Sequence, residues 1–191
     1  MSIKIISCSI FKNEIRKLIE TGELSYQVDF IDSMLHIYPE KLQIVLENYV
    51  NRNKHDTIVI TYGDCYPYML DLENQHNIAR TPGINCCEII LGHTLYSQLR
   101  KEGAFFMMPE WTTRWKEVFK SHLGLTQENA GYLMKEFHTK LIYLDTGLVD
   151  IPYKNLENMS DYVGLPYEIL SVSLSNLKDS LQSSIEKVRK I

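Results

Sequence analysis

In the first half of the chain the sequence runs Thr57-Ile58-Val59-Ile60-Thr61-Tyr62-Gly63-Asp64-Cys65. Residues 57–61 form a short, mostly apolar run followed by a glycine turn, which is typical of a buried strand. Residues 3–8 have the same character, and Cys8 ends that run as Cys65 follows the other. In a parallel sheet both thiols lie at the carboxyl edge, where open α/β sheets bind ligands. The sequence therefore predicts a site lined by thiols.

Segments with strand and helix character alternate along most of the chain. The apolar patterns predict strands at residues 3–8, 26–31, 57–61, 77–79, 104–108, 140–145 and 167–172, and helices at 12–20, 40–52, 86–100, around Trp115, at 126–138 and at 174–190. Such alternation is typical of an α/β fold. We expect residues 1–191 to form a single α/β domain, with a mostly parallel sheet flanked by helices in Rossmann-like layers. An amphipathic helix at about 174–190 closes the chain.

Composition and charge exclude several classes of protein. The chain has 191 residues, of which 45% are hydrophobic and 23% charged, as in ordinary globular domains. A net charge of -4 without a Lys/Arg cluster argues against binding to nucleic acid or to an anionic membrane. No apolar stretch approaches the roughly 20 residues that span a bilayer, and the amino terminus lacks the pattern of a secretory signal. We expect a cytoplasmic protein whose four cysteines are free thiols, metal ligands or redox groups.

Three of the cysteines, Cys8, Cys65 and Cys86, are candidate metal ligands. Thiolates are soft ligands that suit zinc, copper(I) and iron–sulfur clusters, and three of them with an imidazole or an exogenous group complete a four-coordinate centre. His36 is a weaker candidate for the fourth ligand. No Cys-x-x-Cys pair is present, so convergence of the thiols depends on the fold. The alternative is that each thiol fills the core, where free cysteine is common.

Cys86 carries a second, enzymatic hypothesis. Asn85 is a plausible N-cap, which places Cys86 in the first turn of a helix, where unpaired N–H groups lower a thiol pKa. Cys86 is then the nucleophile of a thiol-dependent methyl or acyl transferase, in which Tyr62, Asp64 or His36 handles protons. Cys87 points about 100° away on the same helix and is assigned to the core.

The predicted cofactor-binding residues are Tyr62, Gly63, Asp64 and Trp111. The first three place a phenol, a flexible turn and a carboxylate beside Cys65, although an Asp in such a turn also bonds local backbone. Trp111 can wall a cofactor pocket, but its i to i+4 spacing from Trp115 equally suits a buried helix face. The chain contains no P-loop, Gly-x-Gly-x-x-Gly, His-Glu-x-x-His or Gly-x-Ser-x-Gly motif, so whether it is an enzyme stays open.

Several ordered segments together carry a family resemblance. They are Cys8 with Glu14 downstream, Leu35-His36-Ile37-Tyr38-Pro39, Tyr62-Gly63-Asp64-Cys65, Asn85-Cys86 followed by Leu91-Gly92, and Phe105 through Trp111. Over most of residues 3–147 the chain resembles a domain-of-unknown-function family of anaerobe and methanogen proteins with Leu-His, Tyr-Gly-x-Cys and Asp-Cys motifs. The chain departs from that pattern at Tyr66, Asn85, His93 and Glu110.

The resemblance implies a cellular setting. Members of this family look like accessory proteins associated with corrinoid-dependent methyltransferases, which implies a link to one-carbon metabolism. The resemblance also implies a corrinoid as a candidate cofactor and a methyltransferase or corrinoid protein as a candidate partner. It picks out Cys8, His36, Cys65 and Cys86. Our leading hypothesis is a protein that binds a metal ion, an iron–sulfur cluster or a metallocofactor. Besides the transferase, the remaining alternative is an interaction protein without site chemistry, whose carboxyl-terminal helix docks a partner or a second copy in a homo-oligomer.

Overall fold

A computed structural model describes residues 2–75 and 77–190. The strands are β1 Ile3–Cys8, β2 Val28–Ile31, β3 Thr57–Thr61, β4 Ile78–Arg80, β5 Ala104–Met107, β6 Lys140–Asp145 and β7 Tyr167–Ser171. The α-helices are α1 Lys12–Glu20, α2 Pro39–Arg52, α3 Met69–Glu73, α4 Cys86–Leu91, α5 His93–Lys101, α6 Pro109–Thr113, α7 Ala130–Phe137, α8 Tyr153–Val163 and α9 Ser175–Arg189. Short 3-10 turns follow β1 and β2 at Ser9–Phe11 and Ser33–Ile37, and a π-helical turn lies at Glu117–His122.

The chain divides into two compact units, each with its own sheet. The first comprises Met1–Gly92 and Leu174–Ile191, and the second comprises His93–Ser173. All strand pairs are parallel, which confirms the predicted α/β class with parallel strands flanked by helices. Within residues 2–75 and 77–190 the strands form two sheets, one of β1 to β4 and the other of β5 to β7. That the chain forms a single domain stays a prediction.

The first sheet has the strand order β2-β1-β3-β4. The chain moves outward from β1 to β2 and then crosses back over β1 to reach β3, so the direction of winding reverses between β1 and β3. Right-handed crossovers place the connecting helices on opposite faces of the sheet on either side of such a reversal. At a reversal the loops that leave the two strands diverge and open a crevice at their carboxyl ends, which is where doubly wound sheets bind ligands.

Buried aliphatic side chains of β1 and β3 form the centre of the first unit. Ile5 and residues 58–60 are fully buried. Helix α9 contacts β3, β4 and α4, and it packs through Leu177, Leu181, Ile185 and Val188, which recur at helical spacing. Ser184 on the same face is also buried, and its hydroxyl donates to the carbonyls of Ser180 at 2.9 Å and of Arg80 at 3.1 Å. The carboxyl-terminal helix is therefore part of the first unit, although the second unit precedes it in sequence.

The second unit has the strand order β5-β6-β7 and a buried aromatic cluster. Trp115 is 6% exposed and meets Phe119 and Tyr162, with ring centroids 6.0 and 5.5 Å apart. Phe105 on β5 meets Phe119 edge to face at 5.8 Å. The reading of Trp115 as a core residue therefore agrees with the structure. Among the described helices, none has the length and apolar character that crossing a bilayer requires.

The structure divides one predicted helix and adds two helices, α3 and α8, that the sequence analysis does not predict. The helix expected over residues 86–100 is divided into α4 and α5 at Gly92, whose positive φ of 77° ends the first helix. Helix α8 lies where the sequence analysis predicts none. Its buried residues Leu156, Met159 and Val163 recur at i, i+3 and i+7, which is the spacing of one helix face. The sequence therefore carries the signal of this helix, and the prediction missed it.

Replacing Gly92 by alanine should destabilise the first unit more than the same change at Gly22. Both glycines have a positive φ, 77° and 76°, so both variants incur a backbone cost of about 1 kcal/mol. A Cβ at Gly92 would lie 3.1 Å from Nδ2 of Asn176 on α9, whereas a Cβ at Gly22 meets nothing within 4 Å. We expect a free energy of unfolding about 1 kcal/mol lower in Gly92→Ala than in Gly22→Ala, measured by chemical denaturation. Equal losses would contradict the contact between α9 and Gly92.

Candidate functional site

The carboxyl edge of the first sheet collects the three cysteines that the sequence singles out. Cys8 is the last residue of β1 and is 8% exposed. Cys65 follows β3 in the turn that contains Gly63, and Cys86 begins α4 after β4. Both of these thiols are half-buried, and all four cysteines of the chain are free. The edge includes the β1/β3 reversal, so the predicted location of the thiols agrees with the topology.

Gly63 brings the Cys65 turn against the segment that leads into Cys86. A Cβ on Gly63 would lie only 2.5 Å from the Ile84 carbonyl oxygen and from the Asn85 Cα. No real Cβ approaches backbone so closely, so only glycine allows this packing. The amide of Asp64 donates to the same Ile84 carbonyl at 2.9 Å and fixes the register of the two segments. Gly63, predicted as a cofactor-binding residue, therefore has a structural role in juxtaposing two thiol-bearing loops.

The Tyr62 side chain is buried near the thiols of Cys8 and Cys65. It is 2% exposed. Burial raises the pKa of Tyr62, and the neighbouring groups Cys8, Cys65 and Asp32 raise it further. The phenol is therefore protonated across the physiological pH range. Asp32, which follows β2, caps the next 3-10 turn by accepting from the Met34 amide at 2.9 Å. The ends of β1, β2 and β3 thus meet around the Tyr62 side chain.

Cys86 and Cys87 form a pair of neighbouring thiols. Their Sγ atoms are 4.0 Å apart. The hydrogen bond from the Cys87 thiol lowers the pKa of Cys86, and backbone amides at the start of α4 lower it further against the effect of burial. The same bond raises the pKa of Cys87. Asn85 is the N-cap as predicted, since its Oδ1 accepts from the Glu88 amide at 2.9 Å. Cys86 is thus the more acidic thiol of this pair.

The pKa of Cys65 is shifted in the opposite direction from that of Cys86. Burial raises its pKa to about 12, and the neighbouring Cys86 thiol adds to the rise. The Gly63 backbone amide, which donates to the thiol, and the Arg80 guanidinium oppose this rise without cancelling it. At neutral pH Cys65 therefore keeps its proton, and a ligand that takes it as a thiolate must displace that proton.

Arg80 at the end of β4 holds the Cys65 turn in place. Its side chain is 9% exposed and bonds Asp64 Oδ1 at 2.9 Å, Glu73 Oε2 at 3.1 Å and the Tyr62 carbonyl at 3.3 Å. The buried guanidinium therefore depends on these carboxylates for charge compensation, although the Asp64 carboxylate itself is 49% exposed. The Asp64 carboxylate, predicted to contact a cofactor, forms an ion pair with Arg80, so its first role is to anchor the turn.

His36 and Trp111 were the other predicted site residues. His36 lies in the 3-10 turn after β2, at the same edge as the thiols, with an exposed side chain. Partial desolvation lowers its pKa, so the imidazole is neutral at pH 7 and has the form that coordinates metals. Trp111 is half-buried in α6 and belongs to the second unit. Its assignment to a cofactor site stays a prediction.

No preformed metal cluster is found in residues 2–75 and 77–190, where no three or more His, Cys, Asp or Glu side chains are grouped so that they hold an ion. The residues able to supply soft ligands at this edge are Cys8, Cys65 and Cys86, together with Cys87. Coordination by the first three would require their side chains to rotate towards one another. Buried hydroxyls at this edge, among them those of Thr61 and Thr81, have no hydrogen-bond partner within the described part of the chain. Native proteins leave few such groups unsatisfied, so a water or a ligand is expected beside them.

The fold and this edge define a doubly wound α/β protein with thiols at and beside its topological switch point. The chain belongs to the DUF1638 family, described as "Protein of unknown function", whose model matches residues 30–181. The match includes His36, Cys65, Cys86 and Trp111, while Cys8 lies outside it. A comparison with curated proteins finds no match, and neither does a comparison with solved structures.

Sequence reasoning missed three residues of this edge. Cys87 was assigned to the core from its helical angle, and it is buried, yet its thiol tunes that of Cys86 because both occupy the first turn of α4. Arg80 is the last residue of β4, and a charged residue directly after an apolar strand is the signal that would have indicated it. Asp32 had a similar signal as the residue that follows β2.

Replacing Gly63 by alanine should disrupt the edge. The new Cβ would overlap backbone atoms of Ile84 and Asn85, which cannot move aside as a flexible side chain can, so we expect the free energy of unfolding to fall by at least about 2 kcal/mol. Gly131→Ala in α7 is the control, because its Cβ would make only an ordinary contact at 3.6 Å and alanine favours helix. Chemical denaturation measures both. A loss no greater than that of the control would show that the two loops are not in close contact.

Alkylation should distinguish the thiols. Since the pKa of Cys86 is lowered and that of Cys65 is raised to about 12, iodoacetamide should modify Cys86 faster than Cys65 near pH 7.5. In Cys87→Ala the donated hydrogen bond is lost, so the pH midpoint for Cys86 modification should rise. Cys87→Ser is the matched control, because its hydroxyl can still donate. Peptide mass spectrometry across a pH series gives both midpoints, and an unchanged midpoint in Cys87→Ala would contradict the assigned cause.

Proposed function

We propose that this protein binds a metal ion, an iron–sulfur cluster or a metallocofactor through Cys8, Cys65 and Cys86 at the carboxyl edge of its first sheet. The observation that carries the proposal is the convergence of three thiol-bearing loops on one edge. Cys8 and Cys65 are both neighbours of Tyr62, and the Cys65 turn packs against the segment that precedes Cys86. This edge includes the reversal point at which sheets of this class hold their ligands.

The chemistry of the thiols supports a soft ligand. Thiolates favour zinc, copper(I) and iron–sulfur clusters, and each thiol must lose its proton on coordination. The acidic Cys86 offers the first contact, and the binding free energy of the metal then offsets the deprotonation of Cys65 and the rotation that brings the side chains together. His36, neutral and at the same edge, is a weaker fourth ligand. The unsatisfied hydroxyls of Thr61 and Thr81 offer hydrogen bonds to a polar cofactor in the same place.

The family resemblance adds a metabolic role, a cofactor and a partner to this proposal. An accessory role in corrinoid-dependent one-carbon metabolism makes a corrinoid a candidate cofactor and makes a methyltransferase or corrinoid protein a candidate partner. In the reducing cytoplasm, where we place the protein, its free thiols stay available for coordination.

The lowered pKa of Cys86 favours a second function, thiol-dependent methyl or acyl transfer. In that reaction the Cys86 thiolate attacks the methyl or acyl carbon of a donor. A carbon–sulfur bond forms as the bond to the leaving group breaks, and the leaving group departs with the electron pair. Tyr62, Asp64 and His36 are the candidates to supply a proton to the leaving group. This alternative needs only one of the three thiols.

Metal analysis under anaerobic conditions tests the proposal. The protein is purified without oxygen, and its metal content and ultraviolet–visible spectrum are measured for the wild type and for Cys8→Ser, Cys65→Ser and Cys86→Ser. We expect a stoichiometric metal that each substitution releases. Cys87→Ala, the control from the same helix, should retain the metal. Circular dichroism verifies that each variant is folded.

The outcomes separate the hypotheses. Iron with visible charge-transfer bands identifies a cluster, cobalt identifies a corrinoid, and zinc gives a colourless centre. Full metal content in all three serine variants would contradict the proposed ligand set. A metal-free protein in which only Cys86 is rapidly alkylated would instead favour the transferase, and thiols that are individually replaceable without any change would favour an interaction protein.

A further inference from the structure

A groove with a volume of about 390 Å³ lies between α2 and residues 66–75 in the first unit. Its wall on α2 is built by Gln43, Glu47 and Val50, which recur at i, i+4 and i+7 and so share one face of the helix. The opposite wall includes Tyr66, which directly follows Cys65. The volume falls within the range of roughly 300–1,000 Å³ that small-molecule sites occupy.

The lining of the groove is acidic. Glu47 and Asp71 contribute carboxylates, the other polar side chains are amides and phenols, and no Lys, Arg or His is among the lining residues. Glu47 accepts a hydrogen bond from the Gln43 amide at 2.8 Å, and neither carboxylate has an ion-pair partner within the described residues. The nearby cation, Arg80, is already paired with Asp64 and Glu73. Two negative charges therefore face the groove without compensation.

Tyr66 supplies an independent sign of a ligand. Its side chain is 4% exposed, lines the groove, and has a hydroxyl with no hydrogen-bond partner in residues 2–75 and 77–190. A buried hydroxyl without a partner costs about 1–3 kcal/mol, so a retained one indicates a group that completes it.

We propose that this groove binds a small aliphatic diamine. One ammonium group pairs with Glu47 and the other with Asp71, and an ammonium N–H is donated to the Tyr66 hydroxyl oxygen. The exposed ring of Tyr68 at the rim adds a cation–π contact. A divalent metal ion fits less well, because such ions require about six oxygen ligands within 2.6 Å and the groove brings two carboxylates to a space of several hundred Å³. This site is separate from the proposed thiol centre and does not depend on it.

Titration calorimetry of the full chain with butane-1,4-diamine tests this inference. We expect measurable binding that weakens as salt concentration rises, because the attraction is largely between charges. Glu47→Gln should weaken the affinity at least tenfold. Glu40→Gln, on the same helix but outside the groove, is the matched control and should leave the affinity unchanged.

Tyr66→Phe separates a ligand-binding role from a structural one. It keeps the buried ring and removes the unsatisfied hydroxyl, so the free protein should unfold at the same or a higher temperature while the diamine binds several-fold more weakly. A lower unfolding temperature with unchanged binding would overturn the proposal and assign the hydroxyl to the fold.

The absence of diamine binding in the wild type, an equal loss in Glu40→Gln, or displacement of the diamine by equimolar Mg²⁺ would also overturn it. The metal content of the thiol edge is measured with a different probe, so the two proposals fail independently.

Discussion

The close backbone contact at Gly63 is the constraint on which the functional edge depends. Because residue 63 has no Cβ, the turn after β3 can lie against Ile84 and Asn85 and bond to them through the Asp64 amide. That contact holds the loop after β3 against the loop after β4. The ion pair between Arg80 on β4 and Asp64 in the first loop stabilises the same arrangement. The thiols of Cys65 and Cys86 are neighbours for this reason, rather than through any direct attraction between them.

The thiols of Cys65 and Cys86 differ in pKa although they lie at the same edge. Cys65 loses solvent and gains no strong donor, so its neutral form is favoured. Cys86 is also desolvated, yet the Cys87 thiol and the first amides of α4 donate to it and reverse the balance. Hydrogen-bond donors, more than depth of burial, account for the difference in pKa between these two thiols. Such an edge can present Cys86 as its nucleophilic thiol. Cys65 stays protonated until a ligand binds tightly enough to displace the proton.

Local patterns in the sequence were sufficient for the strands of both sheets, for the Asn85 cap and for the location of Cys8, Cys65 and Cys86 at a carboxyl edge. These features depend on residues close together in the chain. The division into two sheets depends on which strands pair, and strand patterns look alike whichever partner they take. The Arg80 ion pairs and the proximity of Glu47, Tyr66 and Asp71 were also beyond prediction, since they join segments that only the folded topology brings together.

The position of α9 in the chain has a consequence for biosynthesis. The strands β1 to β4 are made first, but the helix that buries one side of β3 and β4 is made after the whole of residues 93–173. Until then, the apolar surface that receives Leu177, Leu181 and Ile185 has no cover from its own chain. The nascent first unit is thus an incomplete intermediate with exposed apolar surface, the kind of species on which chaperones act during translation. Closing it joins residues far apart in sequence, which makes its folding slow relative to that of the contiguous second unit.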